Sequence, residues 1–400
     1  MNGMHAARTV TAPEVHKALE ESLARWKAEL LELSHALHAD PELSGEEHRA
    51  AARVRALLAA AGFRTDLPQP SAPTALLAEA GDGELVAVFC IEYDALPGIG
   101  HACGHNVNAA ATLGAALALA SVAEPLGLTV RVLGTPAEEA DGGKVDLLEE
   151  GMFDGAAMAF MVHASGEDAV GNSSLALGCW DLSFNGRAAH AATAPQEGVN
   201  ALSALVIAQT AVGLLRQQLP RDVVVSHIVT DGGAAPNIIP DRTAARLEVR
   251  APRLDQLESV WAAVRRCFEA GAHATGCSLE ITPAGNVFAE LRQDGFLARA
   301  YAEAMVRRGR EVPVQSEPLA STDMGNVSHR VPSIHPMVGY EVHGAVHHTA
   351  DFAHAGASAS ADLAILDSAY GLAAAAARAA LDDGERARLL AAVTHRDRGL

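Results

Sequence analysis

The chain has 400 residues, of which 49% are hydrophobic and 20% charged, so it is globular with enough apolar material for a buried core. Its 49 acidic and 30 basic residues give a net charge of −19, which argues against nucleic acid or an anionic membrane as a partner. The five cysteines are sparse and odd in number, which argues against a framework of paired disulfides. We therefore expect a cytoplasmic enzyme of two domains.

The first part of the chain alternates between helical and strand patterns. Apolar residues at helical spacing predict helices over 14–37 and 46–61. Continuous apolar runs predict buried strands over 85–91, 128–133 and 156–162, and an alanine-rich helix from Asn108 lies between the first two. This order predicts a mostly parallel sheet flanked by helices. The last part returns to this character and ends in an alanine-rich helix before a charged tail, 382–398.

The middle of the chain has a different order of elements. Strands are predicted over 175–184, 223–229, 244–249 and 278–282, and helices over 199–215 and 254–272. The resulting β-α-β-β-α-β order is the ferredoxin-like arrangement. We therefore predict an α/β protein with a discontinuous catalytic domain (1–177 and 286–400) built on the mostly parallel sheet, and an inserted lid domain (178–285).

A candidate metal-binding loop, His101-Ala-Cys103-Gly-His105-Asn106, follows the first predicted strand. Cys103 and His105 are one residue apart, so in extended backbone both side chains point the same way and can reach one ion. Nearby glycines permit the tight backbone path that such a loop needs. By itself, this pair is weak evidence for a metal site, and a buried structural thiol is the favoured interpretation.

Further candidates lie at the ends of predicted strands. Glu138 and Glu139 follow the strand over 128–133, where open α/β sheets place their sites. Adjacent side chains point in different directions, so one carboxylate can bind metal while the other moves a proton. A solvated acidic loop is the alternative interpretation. His163 ends the next strand and His348 lies beside a helix start; each is compatible with a structural role when taken alone.

Taken together, these residues predict a metal centre. Five potential ligands lie at loop or strand ends on one side of one sheet: Cys103, His105, Glu139, His163 and His348. The mixture of thiolate, imidazole and carboxylate suits zinc first, with manganese, cobalt or nickel as replacements. Five ligands exceed one tetrahedral ion that keeps a water position, so we predict two divalent ions. Asp94 fits as the carboxylate that holds the imidazole of His105.

The order and spacing of several motifs resemble a known family. The strings EYDALPGIGHACGHN, GTPAEE, MVHA, NGRAAHAA, PNIIPD and HHTADF, between about Leu37 and Phe352, are similar to the di-metal aminoacylase–carboxypeptidase G amidohydrolases, metallopeptidase family M20. The branch with Cys-Gly-His in the metal loop, which includes auxin-conjugate hydrolases and N-acyl-amino-acid amidases, is the most similar. Glu92 and Asn106 replace the Asp found in many relatives and resemble a sub-branch of dipeptide and aryl-amide hydrolases.

The resemblance implies a role for each candidate ligand. Cys103 would bridge the two ions, in the position that a carboxylate fills in other branches. His105 and His163 would complete the coordination of one ion, and Glu139 with His348 would complete that of the other.

The resemblance also implies catalytic and substrate-binding residues. Glu138 would be the general base that serves a metal-bound hydroxide, and His190 of the lid would stabilise the oxyanion, in its own subunit or in a partner's. Asn237 and Arg250 would bind the carboxylate of the substrate. His227 faces either the lid core or the substrate groove, and the sequence leaves this open.

The leading hypothesis is therefore a metal-dependent amidohydrolase that cleaves an N-acyl amino acid, a dipeptide or an aryl-amide conjugate of an amino acid. The family implies a homodimer formed through the lid. One alternative is a thiol amidase with Cys103 as nucleophile and His105 as base, but this leaves Glu139, His163 and His348 unexplained. Another is a non-catalytic, metal-stabilised binding protein, which would not need Glu138.

Overall fold

The computed structural model describes residues 10–316, 318 and 320–397, and these form two compact units. The first unit contains the described residues of Met1–Ser173, Leu291–Glu317 and Asp323–Leu400. The second contains those of Ser174–Glu290 and Pro318–Thr322. The short segment Pro318–Thr322 thus groups with the second unit, although it lies outside the boundaries that the sequence patterns indicate for the lid.

The strands of the described chain are, in order, β1 (Leu76–Gly81), β2 (Leu85–Ile91), β3 (Leu128–Gly134), β4 (Ala156–Phe160), β5 (His163–Ser165), β6 (Ala176–Asn185), β7 (Val224–Asp231), β8 (Arg242–Ala251), β9 (Ser278–Pro283), β10 (Ser333–Ile334) and β11 (Met337–Gly339). The α-helices are α1 (Ala12–Ala39), α2 (His48–Ala60), α3 (His105–Ala120), α4 (Ala123–Leu126), α5 (Gly143–Glu149), α6 (Ala201–Leu215), α7 (Leu254–Thr275), α8 (Gly295–Val306), α9 (Met324–Ser328), α10 (Ala350–Ala355), α11 (Ala359–Leu381) and α12 (Asp383–Asp397).

The first unit is built on a five-stranded sheet of order β1-β3-β2-β4-β10. Strands β3, β2, β4 and β10 run parallel, and β1 pairs antiparallel with β3 at the edge. The predicted mostly parallel sheet is confirmed, and the apolar run over 85–91 coincides with β2. The sequence patterns did not predict β1, and the charged tail, for which they indicated no element, contains helix α12.

Small side chains let three helices of this unit pack closely. Helix α3 is buried along almost its whole length and lies against α1 and α11. A Cβ atom on Gly114 of α3 would lie 3.0 Å from Leu30 Cδ1 and 3.1 Å from Ala369 Cβ. The abundance of alanine in α3 and α11 therefore serves close helix packing, in which larger side chains would clash.

Helix α11 (Ala359–Leu381) is long and apolar enough to span a membrane by length and composition. However, 83% of its most apolar window is buried inside the protein. This degree of burial is typical of a core helix, and among the described residues no other helix meets the length and hydropathy criteria.

The second unit has the ferredoxin-like order predicted for the inserted domain. Its antiparallel sheet has the order β7-β8-β6-β9, and α6 and α7 pack together against the sheet. Trp180 of β6 stacks on Trp261 of α7 with 3.8 Å between ring centroids. Residues of β8 alternate between buried and more exposed, and the buried ones pack against α6 and α7. The core of this unit therefore lies between the helices and one face of the sheet.

Candidate metal centre

The candidate residues of the first unit converge where its parallel strands end. Asp94 follows β2, Glu138 and Glu139 follow β3, and His163 is the first residue of the short β5 just beyond β4. The sequence placed His163 at the end of the preceding strand, whereas the structure pairs it with Met337 of β11. Parallel strands direct their carboxyl ends to one edge, so these loops meet there.

The metal-binding loop turns sharply at Gly104, which has φ of 77° and directly precedes α3. A Cβ atom at this position would lie 2.3 Å from Ala164 Cβ. Glycine is therefore required both for the left-handed backbone and for the close approach of β5. This turn places Cys103 before the helix and His105 as its first residue.

Donor atoms of the predicted ligands form two groups that share Cys103. One group contains Cys103, His105 and His163, and the other contains Cys103, Glu139 and His348; within each group the atoms lie within 4.8 Å of one another. His348 Nε2 is 3.5 Å from Cys103 Sγ and 3.6 Å from Glu139 Oε2. His348 has a φ of 63°, a strained conformation of the kind often found at functional sites.

The Asp94 carboxylate connects the metal-binding loop to the loop after β3. Its Oδ1 lies 3.0 Å from His105 Nδ1, and its Oδ2 accepts hydrogen bonds from Ser44 Oγ at 2.8 Å and the Glu139 amide at 3.0 Å. Burial disfavours the ionised form, but His105 and these donors outweigh it and hold the pKa of Asp94 well below its usual range. His105 therefore presents Nε2 to the ligand groups, as predicted for a metal-binding imidazole held by a carboxylate.

The free polar atoms of this cluster fit a divalent cation. His105 Nε2 and Glu139 Oε1 are buried and have no hydrogen-bond partner among the described residues. Burial raises the pKa of the Cys103 thiol and lowers that of His163. An ion bound to these donors would satisfy the unpaired atoms and stabilise the thiolate, and their chemical types match zinc preferences.

Glu138 is buried beside these groups. Its Oε2 lies 3.9 Å from His105 Nε2, and its donor oxygen also groups with those of Glu92 and Asp323. Burial is the main reason that the pKa of Glu138 is well above its usual range, and the neighbouring Glu92 and Asp323 carboxylates add to it. This carboxyl group is thus a suitable proton acceptor in an enclosed site.

A buried lysine, which the sequence patterns did not single out, balances these carboxylates. Lys144 Nζ donates to Glu92 Oε1 at 2.5 Å and to Asp323 Oδ1 at 2.6 Å, and all three side chains are fully buried. Burial lowers the pKa of Lys144, but Asp323 and Glu92 outweigh this and raise it. The available signal was Glu92 at the end of a buried strand, because a carboxylate there needs a nearby cation.

Two further histidines surround His163. Its ring lies 5.6 Å from the ring of His335 and 5.4 Å from that of His347. His347 Nε2 donates to the Ala164 carbonyl at 2.8 Å, and burial lowers the pKa of His335 to about 4. Neither residue was among the sequence-predicted candidates: no pattern singled out His335, and the motif that contains His347 was assigned to its neighbour His348.

Asn106 has a structural role that explains its departure from Asp. Its Nδ2 donates to Ser34 Oγ at 2.9 Å and to the Gly356 carbonyl at 2.8 Å. A carboxylate cannot donate both bonds, so the amide suits this buried junction between α3, α1 and the end of α10.

In the second unit, the structure brings His190 and Asn237 together. The Ala191 amide donates to the Asn237 carbonyl at 3.0 Å, and His190 pairs with Ile238 in an isolated bridge. The amides of Ala192 and Thr193 both donate to His190 Nδ1 at 3.2 Å. Because Nδ1 accepts, the neutral imidazole carries its proton on Nε2. The Nε2–H group of His190 is therefore a hydrogen-bond donor on an exposed loop.

Arg250 lies on the face of the β-sheet opposite the helices. It donates through Nε to Glu248 Oε1 at 2.7 Å and through Nη2 to Glu248 Oε2 at 3.2 Å, and Nη1 lies 3.4 Å from Ser321 Oγ. His227 follows Val225, which is buried in the helix-covered core, so His227 lies on that face of β7. The structure therefore does not place His227 on the same sheet face as Arg250.

A parallel-sheet unit whose strand ends gather buried thiol, imidazole and carboxyl groups has the site of a metal-dependent hydrolase. Residues 88–379 match the model of Peptidase family M20/M25/M40. The chain belongs to this family and is a metal-dependent amidohydrolase, as the resemblance of its motifs predicted.

Relatives cover most of the chain. The Xaa-Arg dipeptidase of Mus musculus is 40% identical over 360 residues, which are 85% of this chain and 83% of the relative. The N-acetylcysteine deacetylase of Bacillus subtilis is 25% identical over 342 residues, which are 78% of this chain and 88% of the relative. The structure of the Bacillus subtilis YXEP protein, a dinuclear metal binding peptidase of the M20 family, matches with a TM-score of 0.62 and 24% identity over 86% of this chain and 98% of that chain.

We expect the replacement of Lys144 by Met to lower the free energy of unfolding by about 3–5 kcal/mol, because it leaves Glu92 and Asp323 buried without their cation. Urea denaturation followed by circular dichroism measures the change. Lys17→Met is the matched control, since the Lys17 side chain is 77% exposed and 3.7 Å from Glu21. Equal unfolding curves for both variants would contradict a compensating role for Lys144.

Proposed function

We propose that this protein is a two-zinc dipeptidase that hydrolyses dipeptides with a basic C-terminal residue. The observation that carries the two-metal assignment is the pair of donor groups that share Cys103 beside buried Glu138. In this proposal Cys103 would be shared by both ions, His105 and His163 would hold one, and Glu139 and His348 would hold the other. Manganese, cobalt or nickel are possible replacements for zinc with these ligand types.

When bound, divalent ions in such a site lower the pKa of water and polarise the substrate carbonyl. Side chains of the protein then transfer the proton from the attacking water to the leaving amine. Glu138, which is buried 3.9 Å from His105 Nε2, accepts the proton of the attacking water and donates it to the leaving amine. Asp94 keeps His105 oriented throughout, because three hydrogen bonds fix its carboxylate.

The second unit supplies the proposed groups for the substrate's polar ends. His190 offers its Nε2 proton to the oxyanion that develops at the reacting carbonyl. Asn237 and Arg250 bind the C-terminal carboxylate, for which the guanidinium is suited by its paired donors. His227 lies on the helix-covered face of β7, away from Arg250, and is therefore not among the proposed substrate contacts.

The pairing of Arg250 with Glu248 supports the choice of substrate. When a dipeptide has a neutral C-terminal residue, its carboxylate would compete for Arg250 and leave the Glu248 carboxylate without a partner. A dipeptide with a C-terminal arginine or lysine carries both charges, so its carboxylate binds Arg250 while its side chain pairs with Glu248. The activity named for the similar mouse protein, an Xaa-Arg dipeptidase, fits this exchange of ion pairs.

The chain is proposed to form a homodimer through the second unit. Strand β7 lies at the edge of its sheet, and Val224, Ile228 and Val229 on it are 49%, 63% and 46% exposed. An apolar edge strand is a template for pairing with a second copy. The five free cysteines support the prediction of a reducing, cytoplasmic location.

Replacement of Glu138 by Gln removes the proton acceptor and keeps the size of the side chain. We expect kcat for dipeptide hydrolysis to fall by about 10²–10⁴-fold, while the metal content per chain stays the same. Stopped assays of free amine and metal analysis of the same samples measure both quantities. The control is Asp141→Asn, an exposed acid in the same loop, and a Glu138→Gln enzyme as active as this control would refute the assignment.

Replacement of Glu248 by Gln tests the choice of substrate. We expect KM for dipeptides ending in arginine or lysine to rise about tenfold or more through loss of a charge-assisted hydrogen bond. KM for dipeptides ending in glycine or leucine should not rise and should fall if it changes, because these substrates no longer leave a Glu248 carboxylate without its partner. Asp181→Asn, which removes the partner of Arg246 on the same sheet, is the control. An equal change for basic and neutral substrates would contradict ion-pair exchange.

Ile228→Glu places a charge on the apolar edge strand and should convert the dimer to a monomer in sedimentation velocity experiments. Val306→Glu is the control, since Val306 is 64% exposed at the end of α8 in the other unit. A variant that sediments as the wild type does would place the interface elsewhere.

A further inference from the structure

The loop between α1 and α2 contacts both loops that carry the site. Its Glu42 carbonyl accepts a hydrogen bond from the Ala95 amide at 2.8 Å, and Ser44 donates to Asp94 Oδ2 at 2.8 Å. On the other side, Glu47 Oε1 accepts from the Ala137 amide at 2.8 Å. This loop includes the end of the Leu-His-Ala-Asp-Pro-Glu-Leu motif, to which neither the metal site nor the substrate groups assign a role.

Ala137 has an unusual backbone conformation immediately before Glu138. Its φ is 57°, in the left-handed region that residues with a Cβ rarely adopt. Its amide is bound by Glu47, and its carbonyl accepts from the amides of Asp141 at 3.0 Å and Gly142 at 2.8 Å. Both backbone polar groups of Ala137 are therefore fixed, which is what a strained residue needs in order to persist.

The other end of the same turn is fixed as well. The Glu139 amide donates to Asp94 Oδ2 at 3.0 Å, and this oxygen also accepts from Ser44. Glu138 thus lies between two anchored peptide units. Because the backbone angles set the direction of each Cα–Cβ bond, the anchors fix the direction in which the Glu138 side chain leaves the backbone.

A role in capping helix α2 does not account for Glu47. It precedes the helix, but within the described chain its side chain makes no capping hydrogen bond to α2. The amides of Arg49 and Ala50, in the first turn of α2, donate hydrogen bonds instead to the Glu42 carboxylate at 3.1 Å and 2.8 Å. Glu47 is fully buried and directs Oε1 to Gly45 and Ala137. Its side chain therefore serves the loop after β3 and not the helix.

We propose that Glu47 is a positioning residue for the general base. It holds Ala137 in the left-handed conformation and so orients Glu138 toward the reacting atoms. This inference rests on the proposed role of Glu138, and it adds a residue from the N-terminal helical region to the machinery of the reaction.

The test compares Glu47→Ala, Glu47→Gln and Glu46→Ala in the full-length protein loaded with zinc. Glu47→Ala should lower kcat by about 10–100-fold, the range expected for a misplaced catalytic group, with KM changed less than about twofold and metal content unchanged. Glu47→Gln retains an oxygen that accepts both amides, so its kcat should stay within about threefold of wild type. Glu46 is the matched control because it is adjacent and exposed.

A second readout does not depend on activity. Hydrogen exchange at the Ala137 amide should be slow in wild type and Glu47→Gln and at least about tenfold faster in Glu47→Ala, since the amide loses its acceptor. The Ala137→Gly background provides a further test of the same inference. Glycine adopts the left-handed conformation without strain, so Glu47→Ala should cost less activity in the Ala137→Gly background.

Retention of wild-type kcat by Glu47→Ala, together with a lower unfolding midpoint, would overturn the proposal and leave a structural residue. Rapid exchange at Ala137 in the wild type would also overturn it. If wild type and Glu46→Ala both fail to hydrolyse dipeptides, the proposed function fails. In that case the exchange experiment still decides whether Glu47 anchors the loop.

Discussion

The buried carboxylate of Asp94 is the constraint on which the site depends. One oxygen orients His105, and the other accepts from Ser44 and from the amide of Glu139, so a single group ties together the metal-binding loop, the loop after β3 and the segment before α2. Its ionised state is stabilised inside the protein by these donors, although burial alone opposes it. Removal of this group would release three segments at once, which is why the site is best understood as a network and not as five separate ligands.

A second constraint is the balance of charge around that network. Glu92, Glu138 and Asp323 lie close together in the interior, and such a cluster is costly without compensation. Lys144 supplies one positive charge through two short hydrogen bonds, and the proposed cations would supply the rest. The arrangement explains how several acids can share one enclosed edge of the sheet. Glu138 accepts no hydrogen bond from this lysine, and burial with the neighbouring Glu92 and Asp323 carboxylates raises its pKa.

The sequence predicted the parallel sheet, the ferredoxin-like insertion and the membership of the M20 family, because apolar runs and ordered motifs are local signals. It also selected Cys103 and its candidate partners, which the structure brings within reach of one another. The ion pair between Lys144 and Asp323 was not predicted because it joins residues 179 positions apart. The left-handed conformation of Ala137 was equally inaccessible, since nothing in an alanine indicates a strained backbone. Such features arise from tertiary contacts that no short pattern records.

The proposed metal centre requires Cys103 to be a ligand of two ions at once. X-ray absorption at the zinc edge, on protein loaded with two equivalents of zinc, tests it most directly. We expect about one sulfur neighbour for each zinc, at about 2.3 Å, with nitrogen and oxygen ligands making up the remainder. Loss of the sulfur signal from both ions in Cys103→Ser would agree with a shared thiolate. A spectrum of the wild-type protein without sulfur, or with sulfur at only half of the zinc, would contradict it.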